Sequence, residues 1–190
     1  MKHITFWNGN KSAARQTYET EVLRQSLDVH KTSLTNYTIN IDNTDYPVAE
    51  DESNIFLNGC DVLVTVAGNQ KFANRDKLII ESPICNGLLG HRLLIINKHA
   101  QVKFKQISNL QQLRKSTIGI PATWADADLF RKNQCKVHEK GLLEDVLNYV
   151  HSNQVDYATL GAHEITTTLK QYTIVMPELV IENTLLIYYP

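Results

Sequence analysis

Residues 117–139 have the sequence TIGIPATWADADLFRKNQCKVHE, and this stretch decides the fold class. Alternating apolar residues predict a strand over 117–120, a second short strand is predicted over 136–139, and the residues 126–133 between them predict a helix. Two strands that are joined by a helix lie parallel in one sheet, because the helix returns the chain to the edge where the first strand began. The stretch therefore predicts an α/β protein.

The same alternation of strands and helices continues in both directions along the chain. The remaining short strands are predicted over 3–7, 37–41, 62–66, 155–160 and 172–176. The remaining helices are predicted after caps at Ser12 and Ser108, over 53–58 with an end at Gly59, over 142–150 and over 162–169. The extended stretch 77–82 is a further strand candidate.

Two longer extended stretches, 88–97 and 179–189, bracket the middle of the chain. A chain that leaves one α/β lobe on one strand and returns on another forms two lobes with a two-strand hinge and a cleft. We therefore predict a first lobe over 1–93, a second over 94–180 and a return strand over 181–190. Each lobe is expected to be a mostly parallel sheet flanked by helices.

Composition excludes several classes of function. The chain has 190 residues with 19 basic and 20 acidic side chains, and this balance argues against nucleic-acid binding. Its apolar runs are far shorter than the roughly 20 residues of a membrane-spanning helix. The sequence has no nucleophile elbow, phosphate-binding loop or dinucleotide fingerprint, so we expect no enzyme activity and no cofactor.

Cysteine and histidine residues give no metal-binding pattern. Cys60, Cys85 and Cys135 are widely spaced, which favours buried small apolar side chains over a disulfide or a metal site. His163 and Glu164 resemble the start of a zinc-protease helix, but Thr167 stands where the second histidine ligand belongs. No metal site is therefore expected.

Several dispersed motifs match one family of binding proteins. They are the helix end at Gly59, the stretch 75–83, the pair Ile118 and Gly119 before a loop that opens a helix, and the block 153–156 before a strand. In these features the chain resembles the type II periplasmic solute-binding proteins, especially their amino-acid-binding branch. The resemblance implies a small-molecule ligand, no cofactor, a periplasmic location after removal of a signal peptide, and a transporter permease or sensor kinase as partner.

In the first lobe, the resemblance assigns a carboxylate-binding arginine and a glycine that lines the site. Arg75, six residues before Glu81, matches the arginine, and Gly68 matches the glycine. The complete set predicted for this lobe is Trp7, Asn8, Tyr46, Gly68, Gln70 and Arg75. From residue type alone, Arg75 also suits a solvated loop and Trp7 also suits a core.

In the second lobe, the resemblance places the site at Thr123, Trp124, Asp126, Gly161 and His163. The first three belong to a loop that opens a helix, where backbone N–H groups bind anions, although Asp126 also suits a helix cap and Trp124 a core position. Gly161 replaces the acidic residue that holds a ligand ammonium in this family. We therefore expect a solute other than an ordinary α-amino acid, unless His163 or Glu164 substitutes.

The apolar C-terminal stretch 185–189 is followed only by Pro190, without a polar tail. We expect either a longer natural protein or a partner chain over this strand, and a homodimer is one such partner. The predicted function is binding of a small polar or anionic solute as the substrate-binding component of an ABC-type transporter. The alternatives are a ligand-sensing domain of a regulatory protein and, third, a small α/β enzyme.

Overall fold

The computed structural model describes residues 2–29 and 36–188. The chain divides into two compact units, Met1–Ile84 and Cys85–Pro190, which we call unit 1 and unit 2. The division predicted at residue 93 lies nearby, within the first strand of unit 2. The α/β fold class predicted from the sequence is confirmed in both units.

Unit 1 contains a parallel sheet with β1 (Lys2–Trp7) at its centre. β1 pairs with β2 (Tyr37–Asp42) on one side and with β3 (Val62–Leu63) on the other. The helices of this unit are α1 (Ala13–Asp28) and α2 (Ala49–Ser53). Ser12 caps α1 as predicted, because its hydroxyl accepts a hydrogen bond from the Arg15 N–H.

Three predicted elements of unit 1 were wrong in extent or type. The helix predicted over 53–58 lies earlier, because α2 ends at Ser53 and turns continue to Gly59 at φ +90°. The strand predicted over 62–66 is limited to the two residues of β3. The stretch 77–82 forms no strand and is exposed, since no strand within the described residues pairs with it.

Unit 2 contains a five-stranded sheet in the order β6-β5-β7-β4-β8. The strands are β4 (His91–Asn97), β5 (Thr117–Ile120), β6 (Lys136–Glu139), β7 (Tyr157–Gly161) and β8 (Leu179–Tyr188). β5 is parallel to β6 and β7, which confirms the parallel pair predicted from residues 117–139. β4 is antiparallel to β7 and β8, so this sheet is mixed.

The helices of unit 2 are α3 (Gln101–Lys105), α4 (Leu110–Leu113), α5 (Asp126–Lys132), α6 (Leu143–His151) and α7 (Ile165–Tyr172). The predicted cap at Ser108 was wrong by one residue, because the Asn109 side chain accepts the hydrogen bond from Gln112 N–H, at 3.0 Å. The strand predicted over 172–176 is a turn, in which the Met176 N–H donates to the Tyr172 carbonyl at 2.8 Å.

Side chains cover both faces of the unit 2 sheet. Ile95 belongs to a cluster with residues of α6 and α7, whereas its neighbour Ile96 belongs to a second cluster with Phe104 and Phe130. Successive residues of a strand point to opposite faces, so the two clusters lie on opposite sides of the sheet. Two apolar layers give this unit a core of its own.

The two stretches predicted as hinge strands, β4 and β8, are neighbours in the unit 2 sheet. Leu185 and Ile187 of β8 pack against the core, while Leu186 and Tyr188 are exposed. The apolar C-terminal stretch is thus half covered, with one set of alternate side chains on the core and the other exposed. Tyr189 and Pro190, included in the predicted return strand, lie outside the described residues. In the part of the chain that the structure describes, no helix is both long and apolar enough to span a bilayer.

Candidate functional site

The carboxyl ends of β5 and β7 meet at one edge of the unit 2 sheet. β4 is antiparallel to β7, with Arg92 directly opposite Gly161, so the first residues of β4 lie at the same edge. The loop after β5 carries Thr123 and Trp124, and the loop after β7 carries His163. The structure therefore brings together the site residues that the sequence predicted in this half of the chain.

A buried arginine between two buried carboxylates lies at this edge. The Arg92 Nη2 atom is 2.6 Å from Asp126 Oδ2, and its Nη1 atom is 3.8 Å from Glu164 Oε1. The relative exposure of these three residues is 2%, 4% and 1%. One guanidinium thus lies close to two carboxylates away from water, where each charge depends on its partners. Arg92 had no signal of its own in the sequence.

A side chain at position 161 would force its neighbours at this edge to move. A Cβ on residue 161 would lie 2.7 Å from His163 Cε1 and 3.3 Å from Glu164 Oε1. The Gly161 N–H donates to Glu164 Oε1 at 3.2 Å, and the Glu164 N–H donates to the Gly161 carbonyl at 3.0 Å. An acidic side chain therefore does occupy this edge, supplied by Glu164 three residues after Gly161.

The loop between β5 and α5 differs from the predicted anion site. Thr123 has a left-handed backbone, φ 69°, and its N–H donates to Glu139 Oε1 at 3.0 Å. Asp126 does not cap α5, because the N-cap residue is Ala125 and the Asp126 carboxylate binds Arg92. Trp124 is partly buried and packs against both core clusters of unit 2, as the core interpretation of this residue predicts.

Trp7 and Asn8 of unit 1 are buried at the carboxyl end of β1. Trp7 packs with Ile55 and Phe72, and its Nε1 donates to the Thr44 carbonyl at 2.9 Å. Asn8 is fully buried, with its Nδ2 donating to the Gln16 carbonyl at 2.8 Å. Both side chains therefore have core roles, and neither forms an exposed wall in this unit.

A second group of buried charges surrounds Asn8. Lys11 Nζ lies 2.6 Å from Glu19 Oε2 and 3.0 Å from Asn8 Oδ1, and Arg15 donates to Glu19 Oε1 at 2.7 and 3.0 Å. Two cations thus share one carboxylate, so the cluster has one positive charge in excess. Burial lowers the pKa of Lys11 to about 8, although Glu19 opposes this shift.

Glu52 is a further buried carboxylate of unit 1. Its Oε2 accepts hydrogen bonds from Lys71 Nζ and from Asn10 Nδ2, each at 2.7 Å. Asn10 Oδ1 in turn accepts the Tyr46 N–H at 2.8 Å, which fixes the loop that carries the predicted site residue Tyr46. Of these charged groups, only the Arg15–Glu19 pair has a sequence signal, namely the i,i+4 spacing on α1.

Arg75, the predicted carboxylate-binding arginine, holds the end of α2. Its Nε donates to the Ser53 carbonyl at 2.8 Å, and its Nη2 donates to Asn54 Oδ1 at 2.5 Å. The Nε–Nη2 edge of the guanidinium, which can form forked contacts with a carboxylate, is thus already hydrogen-bonded. Gln70 Nε2 donates to the Gly68 carbonyl at 2.9 Å, so these two predicted residues contact each other.

Comparisons with known proteins identify the fold. No protein-family model matches the sequence, and no curated protein matches it significantly. Among solved structures, the GluR0 ligand-binding core in complex with L-glutamate matches at TM-score 0.64 and 15% identity, over 100% of this chain and 82% of that one. A second match is AbpA, a substrate-binding protein of an amino-acid ABC transporter from Streptococcus pneumoniae, bound to L-arginine. Its TM-score is 0.61 and its sequence identity is 9%, over 99% of this chain and 79% of that one.

The periplasmic VFT2 domain of Bordetella pertussis BvgS matches at TM-score 0.63 and 14% identity, over 95% of this chain and 74% of that domain. The chain has the type II periplasmic-binding-protein fold. At these identities the likeness establishes the fold and leaves the ligand to be argued from this chain's own residues. This chain's type II fold buries charged side chains at the carboxyl ends of parallel strands in each unit.

Within this type II fold, the described residues include no group of three histidine, cysteine or carboxylate side chains that could hold a metal ion. Burial raises the pKa of the Cys60 and Cys135 thiols. The polar groups at the two sheet edges are suited to hydrogen bonding and to charge recognition, because they form charge-assisted contacts such as Lys11 with Glu19 and Arg92 with Asp126.

Proposed function

We propose that the chain binds a small polar or anionic solute as the substrate-binding component of an ABC-type transporter. The observation that carries the proposal is the buried cluster of Arg92, Asp126 and Glu164. Replacing buried ion pairs by apolar residues is often neutral or stabilising, so stability alone gives little reason for such a cluster. A polar recognition site does give a reason, because it needs fixed charges in a region of low dielectric constant.

The position of the cluster supports the same proposal. Open α/β sheets bind their ligands beyond the carboxyl ends of parallel strands, which is where Arg92 and its two carboxylates lie. Thr123, Trp124, Gly161 and His163 are on the two loops at that edge, so a solute there meets both polar and aromatic groups.

The charges of unit 1 support the preference for an anionic group. Lys11 and Arg15 together exceed the charge of Glu19 by one unit, at the carboxyl end of β1. Arg75 is a further cation of this unit and donates to the Ser53 carbonyl and to the Asn54 side chain, whereas Lys71 is paired with Glu52. The local excess of cations in the cluster of Lys11, Arg15 and Glu19 favours a carboxylate or another small anion.

The fold neighbours support the transport role. One of them is a substrate-binding protein of an amino-acid ABC transporter and another is a ligand-binding core, which favours binding over turnover. A permease partner, a periplasmic location and prior removal of a signal peptide belong to the same proposal. A ligand-sensing domain is the second candidate, favoured by the likeness to the GluR0 core and the BvgS domain.

The proposal is tested by thermal melting with L-glutamate, succinate, L-glutamine and L-arginine as solutes. We expect an acidic or neutral solute to raise Tm, because a ligand that binds only the folded state stabilises it. A rise with L-arginine alone contradicts the anionic preference. No rise with any of the four solutes at about 10 mM contradicts binding of this class of solute.

Arg75→Ala tests the predicted contact with a carboxylate. If the guanidinium exchanges Asn54 for the solute, calorimetry will show affinity weakened by about 2 kcal/mol, as for a lost charge-assisted hydrogen bond. Arg24→Ala removes another arginine of the same unit, outside the predicted site, and serves as the control. Unchanged affinity in Arg75→Ala leaves Arg75 with its structural role at the end of α2 and removes it from the site.

A further inference from the structure

The segment formed by residues 76–83, at the end of unit 1, is an exposed apolar strip. Leu78, Ile79 and Ile80 are 91%, 66% and 80% exposed. All eight residues of the segment are exposed, and none of them lies in a helix or a strand. Adjacent large apolar side chains on a protein surface commonly mark a site of interaction with another protein.

The backbone of the 76–83 segment is also available for hydrogen bonding. No backbone–backbone hydrogen bond within residues 2–29 and 36–188 involves an N–H or carbonyl group of this segment. The β-branched residues Ile79 and Ile80 favour strand structure, and the sequence analysis predicts an extended stretch over 77–82. The segment therefore has the composition of a strand but lacks a strand to pair with.

The central part of the segment is complementary to itself. Residues 77–81 have the sequence KLIIE. When two copies pair in antiparallel orientation around Ile79, each Lys77 faces Glu81 of the other copy and each Leu78 faces Ile80. A slip of one residue toward the N-terminus places Asp76 opposite Glu81, which is a pair of like charges. Charge therefore favours the register centred on Ile79.

Local contacts fix the start of this strip. Lys77 Nζ donates to the carbonyls of Phe72, Ala73 and Arg75 at 2.6, 3.3 and 3.2 Å, which anchors Lys77 to the preceding turn. The positive charge is thereby held at one end of the strip, and Glu81 holds a negative charge at the other. Opposite charges at the two ends are what a two-fold symmetric pair requires.

We propose that a second copy of this chain pairs with the 76–83 segment, so that two such segments form an antiparallel strand pair with Ile79 on the two-fold axis. This proposal does not rest on the proposed function. Three apolar side chains from each copy bury a small area, so the dimer is weak and forms at high protein concentration.

Cysteine cross-linking of the full chain tests the register. Ile79→Cys places two thiols directly opposite each other, and we expect a disulfide-linked dimer in concentrated, mildly oxidised protein. Ser82→Cys is the matched control, since its two copies lie about 20 Å apart in this register. The unsubstituted chain gives the background from its own cysteines. Equal cross-linking of the two variants, or none in Ile79→Cys, overturns the proposal.

Charge reversal tests the pairing in solution. Glu81→Lys places two cations opposite each other, and we expect its dimer dissociation constant in sedimentation to rise about tenfold. Ser82→Lys adds the same charge opposite Asp76 and will keep the dimer. Glu81→Lys mixed with Lys77→Glu will pair again, because both facing pairs are then complementary. Dimerisation that is equal in Glu81→Lys and Ser82→Lys overturns the proposal, even where Lys77→Glu fails to fold.

Discussion

Arg92 is the residue on which the charge balance of unit 2 depends. Its removal takes away the cation that contacts both Asp126 and Glu164, so we expect Arg92→Met to lower the free energy of unfolding by about 3–5 kcal/mol. Urea denaturation measures this loss. Arg131 is the matched control, because it pairs with Glu139 at a comparable 2.6 Å but is 48% exposed at its side chain. Arg131→Met will cost less than about 1 kcal/mol.

The triple variant Arg92→Met, Asp126→Asn, Glu164→Gln distinguishes two causes of lost stability. One is the loss of the attraction between Arg92 and the carboxylates, and the other is the burial of carboxylates without an opposite charge. Neutral amides remove the buried negative charges, so the triple variant will recover part of the stability that Arg92→Met loses. If Arg92→Met is as stable as the parent chain, other groups compensate the two carboxylates, and the charge balance of unit 2 does not depend on Arg92.

Lys11 makes the stability of the chain depend on pH in the alkaline range. Its pKa is about 8 in the folded chain, below its ordinary value of 10.5, so the unfolded chain holds more protons between these values. Stability therefore rises as the pH increases from about 8 to about 10.5, by about 3 kcal/mol from this group alone. Guanidinium denaturation at a series of pH values measures the rise.

The variant Lys11→Met isolates this contribution from other groups that titrate at alkaline pH. We expect the difference in stability between Lys11→Met and the parent chain to change over this pH range. Lys2→Met, at an exposed position, gives the control in which the difference stays constant. A constant difference for Lys11→Met as well means that Lys11 is not desolvated in the folded chain.

The connection between β1 and α1 is the element with the tightest backbone approach. A Cβ on Gly9 would lie 1.9 Å from the Thr44 carbonyl oxygen and 2.8 Å from Trp7 Nε1, so it would break the hydrogen bond between Trp7 and Thr44. We expect Gly9→Ala to lower the free energy of unfolding by more than about 2 kcal/mol. Gly68→Ala, where no atom lies within 4 Å, will cost about 1 kcal/mol for its positive φ.

Urea denaturation followed by circular dichroism measures the free energy of unfolding of both glycine variants. Equal losses of stability in the two proteins contradict the close approach at Gly9.

Local patterns predicted the elements whose partners are close in sequence. The parallel pair of β5 and β6 follows from one strand–helix–strand stretch, and α1 follows from its cap at Ser12. Residues 77–82 and 172–176 have the composition of strands, but the first finds no partner strand and the second turns back after α7. Strand formation depends on distant pairing, which apolar composition alone does not determine.

The candidate site also depends on distant contacts, which local sequence patterns do not predict. Residues on loops at the strand ends of unit 2 could be proposed as site residues because strand ends are recognisable in the sequence. Arg92, Lys11 and Glu19 were missed, because their importance comes from burial and from partners that can be distant in the sequence, such as Asp126, 34 positions after Arg92, and Glu164, which lies farther still. Trp7 was placed at the correct strand end, but its direction into the core depends on packing with Ile55 and Phe72.

At the scale of the whole molecule, the two units differ in how they are stabilised. Unit 2 has an apolar cluster on each face of its sheet, whereas the described part of unit 1 has a smaller cluster around Trp7 and several buried ion pairs. Apolar burial contributes more to stability than buried ion pairs do. We therefore expect unit 1 to unfold locally more readily than unit 2.

Hydrogen exchange measures this order directly. Amides of β1 and β2 will exchange faster under native conditions than those of β4 and β5, because local opening follows local stability. Equal protection in the two sheets means that the units unfold as one cooperative body.

The pairing of β4 with β8 has a consequence for the topology of unit 2. His91 and Tyr188 are opposite each other on adjacent antiparallel strands, so the chain enters and leaves this unit at neighbouring points. A segment with adjacent ends can be spliced into a surface loop of another protein without forcing the host's own chain apart. Unit 2 is in this sense a self-contained insert, which can be transplanted together with the loops that carry the candidate site.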